Sequence, residues 1–210
     1  MRWLEPQRDE RRSGRWILAS ASPRRAGLLE RAGQRFDREP SAIEESLRAG
    51  EGAVEFAARL AHDKARDVAR RRPGRWVLAA DTVVIVDGEP FGKPRDAAHA
   101  RAMLARLSDR KHDVATAFVL LDSAGRTFAA KVVLSEVVFR RLESADIDSY
   151  VRTGEPFDKA GGYAIQGGAR DFVREISGSF TNVIGLPMAE VEAALRAGGL
   201  WIETSAAPEP

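Results

Sequence analysis

Residues 76–86, WVLAADTVVIV, are the most apolar run of the chain, and an acid interrupts them at their middle. Valine and isoleucine at this density suit a pleated strand, because branched side chains pack well on a sheet and lose rotamer freedom in a helix. A carboxylate inside such a strand is costly unless it is paired, bound to a metal or exposed at the strand's end. Asp81 is therefore the strongest single candidate for chemistry, with Thr82 directly after it.

The flanking chain alternates extended and helical patterns. Residues 16–19 form a short apolar run ending in Ser20-Ala21-Ser22-Pro23, and residues 26–32 read as a helix closed by Gly33. Ser22 fits an N-cap and Pro23 the first helical position. Strand, tight polar turn and helix present free backbone N–H groups and a positive dipole end to an anion. Arg24 and Arg25 stand in that first turn, where positive charge opposes the dipole, so they argue for an anion there.

Further on, residues 36–43 suit a short extended segment leading to Glu44 and Glu45. Residues 54–70 repeat small and aliphatic side chains at helical spacing, with Lys64 near one edge of the stripe. Helices are expected at residues 96–107, 144–151 and 188–197, and a hairpin at residues 114–121 and 127–140 about Ser123-Ala124-Gly125. The pattern predicts an α/β fold, a mixed twisted sheet flanked by helices, in one domain over residues 15–203. Residues 1–14 are expected to be a disordered charged extension, and residues 204–210 a frayed tail.

The segment GEPFDKAGGYAIQGGA, residues 154–169, sets five glycines around Lys159 and Gln166, with Glu155, Asp158 and Tyr163 as anchors. Each glycine costs roughly 0.5–1 kcal/mol relative to alanine in a regular element, so this is a shaped loop. With the stretch from Ser20 to Arg25, Ala80-Asp81-Thr82 and Gly92-Lys93-Pro94, it makes four polar islands. Together they hold cations, hydroxyls, an amide and an acid, the inventory of a nucleoside-triphosphate site. Only five of the 33 basic residues are lysine, and Lys64, Lys93 and Lys159 fall in or beside the islands. A compact ammonium does there what a guanidinium fork cannot.

Composition narrows the chemistry. With no cysteine, disulfides, thiolate nucleophiles and Cys-based zinc or iron–sulfur sites are excluded, and His62, His99 and His112 are too scattered for a local cluster. A metal must be held by carboxylates and by the substrate's phosphates, which points to Mg²⁺ or Mn²⁺. Acids and bases are interspersed at a net charge of +2, and the basic runs lack interleaved aromatics, so no nucleic-acid partner is expected. The apolar runs are strand-sized and the first residues lack the apolar middle of a secretory signal, so neither a membrane nor export is expected and the location is cytoplasmic.

Six stretches in order, LASASPRR at 18–25, LAHDKA at 60–65, ADTVV at 80–84, GKP at 92–94, 154–167 and 178–187, resemble the Maf-like nucleoside triphosphate pyrophosphatases, also known as septum-formation-inhibitor proteins. The resemblance implies cleavage between the α- and β-phosphates to a nucleoside monophosphate and pyrophosphate, with a divalent metal. It also implies a fold with a central cleft between two lobes, like that of inosine triphosphate pyrophosphatases, and a homodimer. Asp81 then resembles the base that activates water, and it holds metal together with Glu45, or with Glu44 beside it. Ser20, Arg24, Arg25, Lys64, Lys93 and Lys159 resemble the lining of the triphosphate site. Arg24, Thr82 and Gln166 together resemble the branch acting on dTTP and UTP, with the Gln166 amide able to read a pyrimidine edge. The family often has glycine where Asp109 stands.

Two other readings compete. A non-catalytic nucleotide-binding regulator of cell division would keep the pocket, although a pure polyanion binder gains nothing from Asp81. A Rossmann or Walker-type site fails because neither G-x-G-x-x-G nor G-x-x-x-x-G-K-[ST] occurs.

Overall fold

The computed structural model describes residues 16–203. A single seven-stranded mixed sheet runs in the order β2-β1-β3-β5-β6-β7, with β4 paired to β3 off that path. Its strands are β1 (Trp16–Leu18), β2 (Asp37–Arg38), β3 (Trp76–Val86), β4 (Glu89–Phe91), β5 (Lys111–Leu121), β6 (Thr127–Phe139) and β7 (Val173–Ser177). The helices are α1 (Pro23–Arg31), α2 (Ala53–Arg71), α3 (Ala97–Leu107), α4 (Ser144–Arg152), α5 (Phe180–Ile184) and α6 (Met188–Ala197). The mixed, helix-flanked sheet expected from the sequence is present. The two expected tails lie outside the described residues.

The apolar run 76–86 is the axis of this arrangement. Along one edge β3 pairs antiparallel with β5, from Val77↔Leu121 to Ile85↔Asp113. Its other edge is shared, with β1 lying parallel beside residues 76–78 and β4 antiparallel beside residues 84–86. Between those two partners the edge at residues 79–83 has no strand beside it among the described residues, and Asp81 and Thr82 stand there. A sheet edge at which neighbouring strands part is the usual place for a ligand crevice in α/β folds.

Alternation along β3 assigns its side chains to opposite faces. Val77, Ala79, Val83 and Ile85 pack under the small-residue stripe of α2, Ala57, Ala61 and Ala65. On the other face Leu78 and Ala80 join a core with Trp16, Leu29 and Leu195, while Val84 and Val86 join a separate core with Leu104, Phe139 and Tyr163. Thr82 falls between these two cores on that face, and Val173, Ile176 and Val183 pack against both.

Local boundaries follow the capping chemistry. Ser22 caps α1 by accepting from Arg25 N, with Pro23 in the first turn, as the sequence predicts. Helix α2 begins one residue earlier and ends one residue later than its apolar periodicity, and β5 begins at Lys111 because residues 111–113 find partners in β6 at 136–138. The extended segment expected at 36–43 is a strand only at Asp37–Arg38. Asp109 lies at φ 54°, in the left-handed region that favours glycine, which accounts for the turn at the α3–β5 junction. No helix among the described residues is long and apolar enough to cross a membrane.

Candidate active site

Asp81 projects to the α2 side of β3, where the helix brings Lys64 against it. Lys64 Nζ lies 2.6 Å from Asp81 Oδ1 and 2.6 Å from Glu45 Oε1, so a single ammonium holds two carboxylates. Lys64 and Asp81 are buried, at 7% and 6% exposure, whereas Glu45 comes from the exposed loop ahead of α2 and turns its other oxygen to within 3.9 Å of Lys93 Nζ. Glu44 is exposed and does not line the cavity described below.

The two acids are driven apart. Burial is the largest influence on Asp81 and pushes its carboxyl above the ordinary aspartate range, against the pull of Lys64 and Arg25. Burial acts in the same sense on Glu45, but there the Lys64 hydrogen bond and the charges of Lys64, Lys93 and Arg25 outweigh it and hold the carboxyl below its usual range. Two neighbouring carboxyl groups with separated proton affinities are the arrangement that lets one act as a base while the other stays a fixed anion.

On the opposite face of β3, Thr82 meets Arg25. The guanidinium donates from Nε to Gly185 O at 2.8 Å, from Nη1 to Ser20 Oγ at 3.3 Å and from Nη2 to Thr82 Oγ1 at 3.0 Å. Ser20 Oγ also accepts from Ser22 N at 3.1 Å, which ties the turn before α1 to the same guanidinium. Arg24 lines the cleft beside it with no side-chain hydrogen bond or ion pair among the described residues.

The glycine loop folds into three short 3₁₀ turns rather than a strand or helix. Lys159 Nζ donates to Glu155 O at 2.8 Å and pairs with Asp158 at 2.5 Å. Gly161, at φ 74°, donates its N–H to Gly92 O at 3.0 Å, and a Cβ there would stand 2.8 Å from Val84 Cγ2. Only glycine lets the loop press this closely on β3 and on the turn that carries Lys93.

These groups enclose a cavity of about 330 Å³, within the range of small-molecule sites. Its lining sets five cations, Arg24, Arg25, Lys64, Lys93 and Lys159, against three acids, Glu45, Asp81 and Asp158. Ser20 and Thr82 line it too, so nine of the ten predicted site residues converge on this cavity. The tenth, Gln166, is exposed and lines a second, open cavity with Arg170 and Phe180, separated from the cleft by Ile165, which borders both. Sequence reasoning did not single out the Gly185 carbonyl. Its signal was the cluster of hydroxyl, amide and glycine residues at 178–187, which form α5 and its termination.

Glu45 and Asp81 are hard oxygen donors on either side of the Lys64 ammonium, each with its second oxygen off that ammonium, a donor set that suits a magnesium-class ion. Among the described residues no three His, Cys, Asp or Glu side chains gather as a metal cage, so the remaining ligands would be phosphate oxygens and water.

The chain is similar to several named proteins. A protein named dTTP/UTP pyrophosphatase from Geobacter sp. (strain M21) is 50% identical over 183 residues, covering 87% of this chain and 95% of that protein. One of the same name from Myxococcus xanthus (strain DK1622) is 50% identical over 184 residues, covering 88% and 92%. Among solved structures, a HAM1 protein from Coxiella burnetii aligns with TM-score 0.47 and 19% identity over 86% of this chain and 98% of that one. The family model described as Maf-like protein matches residues 15–198, the whole span that builds the sheet and the cleft, and the chain belongs to that family.

Proposed function

We propose that this chain hydrolyses dTTP and UTP to the nucleoside monophosphate and pyrophosphate, the substrates in the names of its relatives. One observation carries the reading: a buried carboxyl, Asp81, whose proton affinity burial raises above the ordinary aspartate range, opens onto a cavity whose other charges are mainly cationic. A polyphosphate supplies the missing negative charge, and a cleft that only bound it would gain nothing from Asp81.

In this reading Asp81 accepts a proton from a water molecule as its oxygen attacks the α-phosphorus. The bond between the α-phosphorus and the oxygen bridging to the β-phosphate breaks, and the electron pair leaves with pyrophosphate. Lys93, Lys159, Arg24 and Arg25 hold the triphosphate and offset the charge that grows on the leaving group. Lys64 keeps Asp81 and Glu45 aligned. Glu45 and Asp81 would hold Mg²⁺ or Mn²⁺, which supplies charge stabilisation to the phosphate oxygens when bound.

The test is pyrophosphate release from a panel of the common and modified triphosphates with Mg²⁺ or Mn²⁺. Turnover favouring dTTP and UTP is expected. Binding without release from any of them would leave a nucleotide-binding regulator instead.

A further inference from the structure

Thr116, on β5, is fully buried behind the cleft, one strand away from the edge that faces it. Its hydroxyl oxygen lies 2.8 Å from Thr82 Oγ1 and 3.0 Å from the carbonyl oxygen of Asn182 in α5. A carbonyl can only accept, so the Thr116 proton goes to Asn182 O. The contact between the two hydroxyls is then donated by Thr82, whose other acceptor, Gly185 O, lies farther off at 3.5 Å against 2.8 Å, and the oxygen of Thr82 is left as the acceptor for Arg25 Nη2. The hydrogen bonds therefore run in one direction, from Arg25 to Thr82 to Thr116 to Asn182.

The far end of this chain is anchored. The Asn182 side chain is fully buried and donates to Val114 O at 2.9 Å and to Ser135 Oγ at 3.0 Å, which fixes α5 to β5 and β6. Helix α5 ends at Gly185, whose carbonyl accepts from Arg25 Nε. The guanidinium is thus held at two points that both lead back to Asn182. Of its five N–H groups, three bond to Gly185, Thr82 and Ser20, leaving one on Nη1 and one on Nη2 for a ligand in the cleft.

We infer that Thr116 and Asn182 are positioning residues that act through Thr82 to aim the two remaining N–H groups of Arg25 at a phosphate. Thr82, its one proton committed to Thr116, orients Arg25 and donates nothing to the substrate. This rests on the triphosphate reading of the cleft, and it assigns that site a set of supports lying outside the cavity.

Thr116→Val keeps the shape and removes the hydroxyl, and Thr116→Ser restores it. With dTTP, kcat/KM is expected to fall about tenfold in Thr116→Val, the scale of one coupled hydrogen bond, and to return to within about twofold in Thr116→Ser. In an Arg25→Ala background the same change should have little further effect. An equal loss in both backgrounds, or unchanged kcat/KM in folded Thr116→Val protein, overturns the inference. If the buried valine prevents folding, Thr82→Val, which removes the acceptor from the cleft side, must show the same dependence on Arg25. Should the wild type release no pyrophosphate from any triphosphate, the activity reading fails by itself. The relay is then read from the Arg25 Nε–H signal in NMR, assigned by its loss in Arg25→Lys. Its hydrogen exchange should be about tenfold faster in Thr116→Val, and an unchanged rate overturns the inference.

Discussion

Lys64 Nζ stands 2.6 Å from Asp81 Oδ1, and both side chains are buried at the stretch of β3 between its pairings with β1 and β4. Residue 81 points towards α2 because of strand alternation, and Lys64 reaches it because the helix lays a stripe of alanines flat on the sheet. A larger residue at Ala61 or Ala65 would lift the helix and lengthen the ion pair. The chemistry of the pair thus depends on the packing of the core beside it.

The acid limb of activity follows from this pair. Burial raises the Asp81 carboxyl, and Lys64 is the largest opposing influence. A base must be ionised to take a proton, so kcat/KM should fall on acidification through a value above the usual aspartate range. Lys64→Met withdraws the opposing pull, and the limb should move to higher pH, as measured by pyrophosphate release from about pH 5 to about pH 9. A limb that stays in place would show that another group titrates.

Stability should respond in the opposite sense to activity. Because the folded state binds the Asp81 proton more tightly than the unfolded chain does, this group's contribution is full below the unfolded pKa and is lost as pH rises through the raised folded value. Wherever Asp81 is ionised in the folded protein it therefore costs stability, and Asp81→Asn relieves that cost while Lys64 keeps Glu45 as a partner. The expected variant melts no lower than wild type at pH 7 and loses about 10²- to 10⁴-fold in kcat. A melting temperature several degrees lower would mean that the carboxylate stabilises the fold.

His112 supplies an acid-sensitive point away from the reaction. It is buried, its Nε2 lies 2.7 Å from Tyr163 OH in the glycine loop, and burial lowers its pKa from 6.5 to about 4. The folded value is depressed, so the contribution is present above the unfolded pKa and is lost as pH falls towards the folded one. Between those values acidification should remove about 3 kcal/mol. In His112→Gln the urea-unfolding free energy should depend less steeply on pH across that window. An unchanged slope would place the acid sensitivity elsewhere.

The two parts of the site differed in how visible they were in the sequence. Asp81 stood out because an acid in a valine-rich strand needs a reason, and the Ser22-Pro23 start of α1 because capping is local chemistry. Lys64, Lys93 and Lys159 stood out by their scarcity. What could not be read was partnership at long range: Arg25 meets Gly185 across 160 positions, and Arg24 and Arg25 look alike until that contact separates them. The parallel pairing of β1 with β3 and the short β4 were hidden for the same reason, since strands of three residues carry little periodicity of their own. Thr116 gave no signal because it is one threonine among the small and aliphatic residues of β5.

The glycine loop is braced by one side chain whose removal can be tested against its own neighbour. Glu155 Oε1 accepts from Tyr150 OH at 3.1 Å and Oε2 from Gly168 N at 3.0 Å, so the carboxylate joins α4 to the end of the loop. Tyr150 OH also accepts from Ala164 N at 3.1 Å, which extends the brace to the segment lining the cleft. The position at Gly167 is filled by that carboxylate, since a Cβ there would stand 1.9 Å from Glu155 Oε1. Its backbone, at φ −117°, does not itself demand glycine. Gly167→Ala should therefore destabilise by expelling Glu155 from its hydrogen bonds, by about 1–3 kcal/mol, and should raise KM for dTTP as the loop loosens. In Glu155→Ala the obstacle is gone, so adding Gly167→Ala should cost much less than it does in wild type, a non-additivity read by urea unfolding of the four proteins. Additive losses would mean that Gly167 is required by its backbone rather than by the carboxylate beside it.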